Sequence, residues 1–147
     1  MSTDERQNEA LRVLIVEDEM FLAMNLESEL EMLGQDVVGM APDAESALAL
    51  AASESPDLAL VDVNLRDGLT GPQIAADLVK KHVLVVFVTG SAKLVPRDCA
   101  GALGIIEKPW LPKTIQQLIP FVQAHRTSEG RPVLVSAPCH MQLAPAG

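Results

Sequence analysis

Four short apolar runs in this chain each end on a polar group with chemistry to offer. Val13-Leu14-Ile15-Val16 runs into Glu17-Asp18, and Leu58-Ala59-Leu60-Val61 into Asp62. Val83 to Val88 runs into Thr89-Gly90, and Ile105-Ile106 into Glu107-Lys108-Pro109. Runs of this length alternating with helical patterns signal βα units and a parallel sheet. Strands of such a sheet end at one edge, and ligands of open α/β sheets bind there. Three carboxylates, a hydroxyl and an ammonium should therefore converge.

The elements between follow from periodicity and punctuation. Strands are expected at 12–16, 36–40, 58–61, 83–88 and 104–107. The 83–88 strand is Val-rich throughout, which suits burial on both faces. A helix over about 19–33 would bury Phe21, Leu22, Leu26, Leu30 and Leu33, with its methionines in the core or at its edge, and Gly34 is placed to cap it. A second helix should open near Pro42 and run to about Ser53, and a third from Pro72 to about Lys81. Pro96, Gly101 and Gly104 make 91–103 at best a short or distorted helix. The last helix, about 113–126, contains Pro120, which predicts a kink or an early stop.

Length supports one domain: 147 residues fit the size of a single unit. Residues 1–10 read as a polar extension, 11–126 as the domain, and 127–147 as a Pro-rich, flexible tail in which 131–136 form at most a short strand. No apolar run reaches the ~18 residues of a membrane span, and the polar start is unlike a signal peptide, so a cytoplasmic location is expected. Net charge is −9, and residues 1–65 carry fifteen Asp and Glu against two Arg. That acidic half argues against nucleic-acid binding, which needs a basic footprint. Cys99 and Cys139 are too few for a disulfide framework. His82, His125 and His140 lack metal-ligand spacing, and Trp110 is as suited to anchoring a partner as to packing on the last helix.

Crowding Glu17, Asp18 and Asp62 is unfavourable unless something offsets it, since two unit charges about 4 Å apart repel by roughly 4 kcal/mol at an effective dielectric of about 20. A proton or a hard cation would relieve this, and magnesium favours a few carboxylates with water and phosphate. An Asp carboxylate is also a nucleophile toward phosphorus. The extra charge of an acyl phosphate would then be met by Lys108 and Thr89, with Gly90 leaving the approach open. A calcium loop at Asp62-Val63-Asn64 fails, because Asp67 stands where that loop has Gly and Gln73 where it has its bidentate Glu. A haloacid-dehalogenase-type Asp-x-Asp fails on Asn64, and no Gly-x-x-x-x-Gly-Lys loop exists.

In this order the residues resemble the receiver domain of bacterial response regulators, over about 11–126. The resemblance implies a flavodoxin-like (βα)5 fold, a doubly wound parallel five-stranded sheet of order 2-1-3-4-5, here with a short or irregular fourth helix. It implies Asp62 as phosphoacceptor and Mg2+ held by Asp18, Asp62 and the backbone carbonyl of Asn64, with Glu17 assisting through the metal's waters. Thr89 and Lys108 would contact the phosphoryl group, and the Lys108–Pro109 bond would be cis. The implied partner is a histidine kinase, with a phosphotransferase or another regulator downstream, and no independent substrate turnover or nucleic-acid or membrane binding. With only the short tail after residue 126, a stand-alone receiver is expected.

Two departures matter. The family commonly places Tyr or Phe three residues before the lysine; that position is Ile105. The stretch from Thr89 to Lys108 is also short. Both features are similar to the receiver subgroup nicknamed FAT GUY, whose members resemble partners of HWE-type kinases, although Phe87-Val88-Thr89-Gly90 departs at its second position. The rival is a pseudo-receiver, a protein-binding module regulated without phosphate.

Overall fold

A computed structural model describes residues 9–145 of the chain; the expected extension over 1–8 lies outside the described residues. Strands β1 (Arg12–Val16), β2 (Asp36–Ala41), β3 (Leu58–Val61), β4 (Leu84–Thr89) and β5 (Gly104–Glu107) pair in parallel. A sixth, β6 (Met141–Leu143), adds antiparallel to β5, giving the order β2-β1-β3-β4-β5-β6. The expected five-stranded order is thus present, extended at one edge. The extra strand lies downstream of 131–136, which forms no strand.

Alternation along the strands divides the core in two. Leu14, Val16, Ala59, Val61, Val85 and Phe87 face one side, against α2 (Ala44–Glu54) and α3 (Gly71–Lys80). Val13, Ile15, Leu58, Leu60, Val86 and Val88 face the other, against α1 (Met20–Met32) and α4 (Pro112–Thr127). All four residues of β3 are buried, as a strand covered on both faces requires. Each large apolar side chain removed from water there contributes about 1.5–3 kcal/mol.

Several local expectations are corrected. Only Ala23, Leu26 and Leu30 of α1 are fully buried, while Phe21 is 83% exposed and Leu33 also lies at the surface. Spacing explains it: the 23-26-30 stripe puts position 21 on the opposite side of a 3.6-residue turn. Met20, Met24 and Met32 are likewise exposed rather than in the core or its edge. Pro42 precedes α2 instead of opening it, because Asp43 is the N-cap and accepts the Ser46 N–H at 3.0 Å. Pro120 does not stop α4. Pro120 and Gln116 are both exposed, so the Gln116 carbonyl that loses a helical donor faces water.

Gly34 caps α1 as expected, with φ at +81°. The Gln35 N–H reaches back to the Leu30 carbonyl at 3.0 Å. Between β4 and β5 there is no α-helix, only two single 3-10 turns, Ala92–Leu94 and Cys99–Gly101. Among the described residues no helix is long and apolar enough to cross a membrane.

Candidate functional site

The ends of β1, β3, β4 and β5 bring the predicted residues together. Glu17 and Asp62 are buried, Asp18 is exposed, and each offers a carboxylate oxygen within 4.8 Å of the others. These hard oxygen donors fit a magnesium ion. The Lys108 ammonium donates to Glu17 Oε1 at 2.5 Å and to Asp62 Oδ2 at 2.7 Å. This one cation offsets the repulsion between the two buried acids.

Backbone groups hold both acids in place. Asp62 Oδ1 accepts the Val63 N–H at 2.7 Å, and Glu17 Oε2 accepts the Glu19 N–H at 3.1 Å. Burial pushes the Glu17 carboxyl above its ordinary range, against the pull of its bond from Lys108. Burial also pulls on the Lys108 ammonium, downward, but its bonds to Asp62 and Glu17 outweigh this and hold it above the usual lysine value. The Lys108–Pro109 peptide is cis, as expected.

Thr89 is fully buried at the end of β4, and its Oγ1 accepts the Ser91 N–H at 3.0 Å. The Ser91 hydroxyl in turn accepts from the Asn64 side-chain amide at 2.9 Å. That tie between the loops after β3 and β4 has no signal in the local sequence. An added Cβ at Gly90 would meet nothing within 4 Å, consistent with an open approach.

Gly71, just before the expected start of the third helix at Pro72, shapes the site. A Cβ there would lie 2.6 Å from Val63 Cα and would collide with the Asp62 carbonyl oxygen. Its N–H donates to the Val63 carbonyl at 3.1 Å, closing the loop that carries Asp62 and Asn64 back onto α3. The sequence signal was the Gly71-Pro72 pair at the helix start.

Trp110 is half-buried and its indole N–H donates to Glu29 of α1 at 2.7 Å. It therefore packs across α1, one wall of a cleft of about 470 Å3 shared with Leu22, Asn25 and Pro109. Of the histidines, His125 Nδ1 lies 3.0 Å from the Phe121 carbonyl in α4, and none joins the acidic cluster. Cys99 is buried and Cys139 half-buried, both as free thiols.

Residues 13–120 match the response regulator receiver domain family. The chain is 34% identical over 113 residues to the phyllosphere-induced regulator PhyR of Methylorubrum extorquens, covering 75% of this chain and 42% of that protein. It is 35% identical over 115 residues to the transcriptional regulatory protein PdtaR of Mycobacterium tuberculosis, covering 76% and 55%. The chain thus spans about half the length of these curated relatives. The solution structure of the Erythrobacter litoralis PhyR receiver domain superposes with a TM-score of 0.71 at 30% identity, over 77% of this chain and 89% of that one. A receiver domain of a modulated diguanylate cyclase from Desulfovibrio desulfuricans gives 0.73 at 31%, over 82% and 99%. With this match over most of its length, the chain belongs to the response regulator receiver domain family.

Proposed function

We propose that this receiver takes a phosphoryl group from a histidine kinase onto Asp62, in the manner of two-component signalling. The observation that carries the reading is the convergence of Glu17, Asp18 and Asp62 within 4.8 Å, bridged by Lys108. In the transfer an Asp62 carboxylate oxygen attacks phosphorus, the P–N bond of the phosphohistidine breaks, and its electron pair leaves with the imidazole. Lys108 and the Thr89 hydroxyl pair with the phosphoryl oxygens, and Gly90 keeps their approach clear. Asp18, Asp62 and the Asn64 carbonyl would hold Mg2+, with Glu17 acting through its waters. When bound, the ion supplies charge neutralisation for the incoming phosphoryl group.

The likeness to PhyR proteins, one of which, from Bartonella quintana, is an anti-anti-sigma factor, supports output through contact with another protein. The helix-poor segment between β4 and β5 and Ile105 support placement in the FAT GUY subgroup and an HWE-type kinase as donor. A cytoplasmic location accords with both. Incubation with the phosphorylated cognate kinase and magnesium tests the reading: label transfer that survives Asp62→Asn sinks it.

Ile105 also favours a second reading, a pseudo-receiver that binds its partner without phosphate. Magnesium titration separates the two, since absence of binding in the millimolar range supports the pseudo-receiver.

A further inference from the structure

The sheet does not end at β5. Residues 141–143 pair with it antiparallel, Met141 opposite Ile106, Gln142 opposite Ile105 and Leu143 opposite Gly104. Gly104 makes room for this: a Cβ there would lie 2.9 Å from the Met141 methyl and collide with the Gln142 carbonyl oxygen. The strap is pinned at both ends by hydrogen bonds, and at the first the Cys139 thiol also lies 3.5 Å from the Thr114 hydroxyl. The Cys139 N–H donates to Gln117 Oε1 of α4 at 2.7 Å, and the Ala144 N–H to the Leu103 carbonyl at 2.9 Å.

This grip is slight. The ladder has three register pairs, Gln142 and Leu143 are exposed, and residues 128–140, which lead to it, hold no helix or strand. Met141 and Ala144 do pack against the core, but a segment held by so short a ladder opens at low free-energy cost. The strap also abuts the site. Its antiparallel course brings His140 to the Lys108 end of β5, and a cleft of about 590 Å3 separates His140–Gln142 from Lys108, Trp110 and Leu111. Lys108 donates its backbone N–H to the Thr89 carbonyl at 3.0 Å, and Thr89 pairs in register with Glu107. The two groups assigned to the phosphoryl oxygens are thus tied to the last residues of β5. A phosphoryl group on Asp62 displaces the Lys108 ammonium from the carboxylate that it now touches at 2.7 Å, and a displacement at the end of β5 is felt at Met141, whose pairing with Ile106 is one of the three that hold the strap.

We propose that residues 139–145 are a detachable cover on the β5 edge, and that phosphorylation of Asp62 loosens it and uncovers that edge. The proposal rests on the phosphoacceptor reading of Asp62. The test uses the full chain with magnesium and a small-molecule phosphodonor such as phosphoramidate, following phosphoryl uptake by intact mass and the strap by amide hydrogen exchange. Exchange at Cys139 and Ala144 is expected to quicken at least about fivefold on phosphorylation, the low end of ordinary coupling. Asp62→Asn should abolish the change. Gly104→Ala, and independently Ala144→Pro, which removes the N–H that donates to the Leu103 carbonyl, should release the strap beforehand. In both variants Cys139 exchanges fast with or without phosphate, and by reciprocity beryllofluoride with magnesium binds tighter by a similar factor. Full phosphorylation by mass with unchanged exchange at 139–144 overturns the cover and leaves the phosphoacceptor standing. No uptake at Asp62 overturns the phosphoacceptor reading, and the coupling falls with it.

Discussion

Replacing Lys108 by Met should weaken the fold and tighten magnesium at once. The ammonium touches Glu17 and Asp62 while its side chain is only 17% exposed and theirs 4% and 9%. Without it two buried carboxylates face each other, a repulsion of roughly 4 kcal/mol at about 4 Å and an effective dielectric of about 20. Protonation of Glu17, whose carboxyl burial already pushes up, relieves part of this. We therefore expect a loss of about 2–3 kcal/mol near pH 8, below the full cost of an unpaired buried charge. A carboxyl raised in the folded state stabilises fully below its unfolded value of 4.5 and loses that contribution as pH rises through its folded value. The deficit should accordingly shrink to under about 1 kcal/mol near pH 5. At the proposed magnesium site Lys108 and the ion would compete for the same acids, so the variant should bind the ion about tenfold tighter, about 1.4 kcal/mol, and regain stability at saturation. Urea unfolding at both pH values with and without magnesium, plus calorimetric titration, reads each quantity. A pH-independent deficit together with weaker magnesium binding would refute the bridge.

Other perturbations probe separate parts of the molecule. Gly71→Ala forces a Cβ against the Asp62–Val63 backbone, so it should cost about 1–3 kcal/mol or more in urea unfolding and slow phosphoryl uptake. In the parent protein magnesium affinity should start to fall on acidification at a pH above the ordinary carboxylate range, because the proton on Glu17 competes with the ion. Glu17→Gln should move that decline to lower pH, as titration calorimetry would register. On α1, Leu26→Ala should cost about 2–5 kcal/mol and Phe21→Ser less than about 0.5, since the first is buried and the second exposed. Equal melting shifts for the two would contradict the observed face of the helix.

The chemistry was legible because it sits at strand ends. In a parallel sheet every strand delivers its last residue to the same edge, so an apolar run ending in Asp62 or Lys108 predicts the neighbourhood without knowledge of packing. Features that depend on packing were not legible in the same way. Phe21 and Leu26 look alike along the sequence, and only the crossing of α1 over β1 selects which is buried. Pro120 reads as a helix stop until its exposure shows that the lost bond belongs to the wet side of α4. The strand at Met141–Leu143 has no local signal at all, because what admits it is the missing Cβ of Gly104, a residue that along the chain marks only the end of a weak helix pattern and the start of β5.

The two kinds of information meet at Ile105. From the sequence, that position mattered because it lacks the family's aromatic ring, which left the output of the site without a carrier. In the fold it is buried and lies in register with Phe87 on one side and Gln142 on the other. A side chain enclosed in this way has little room to change its rotamer. The strand itself can still move, and the neighbour that would register its movement is the strap. Under the proposed coupling, displacement of β5 against the short covering strand at 141–143 would carry the signal that an aliphatic residue at 105 does not.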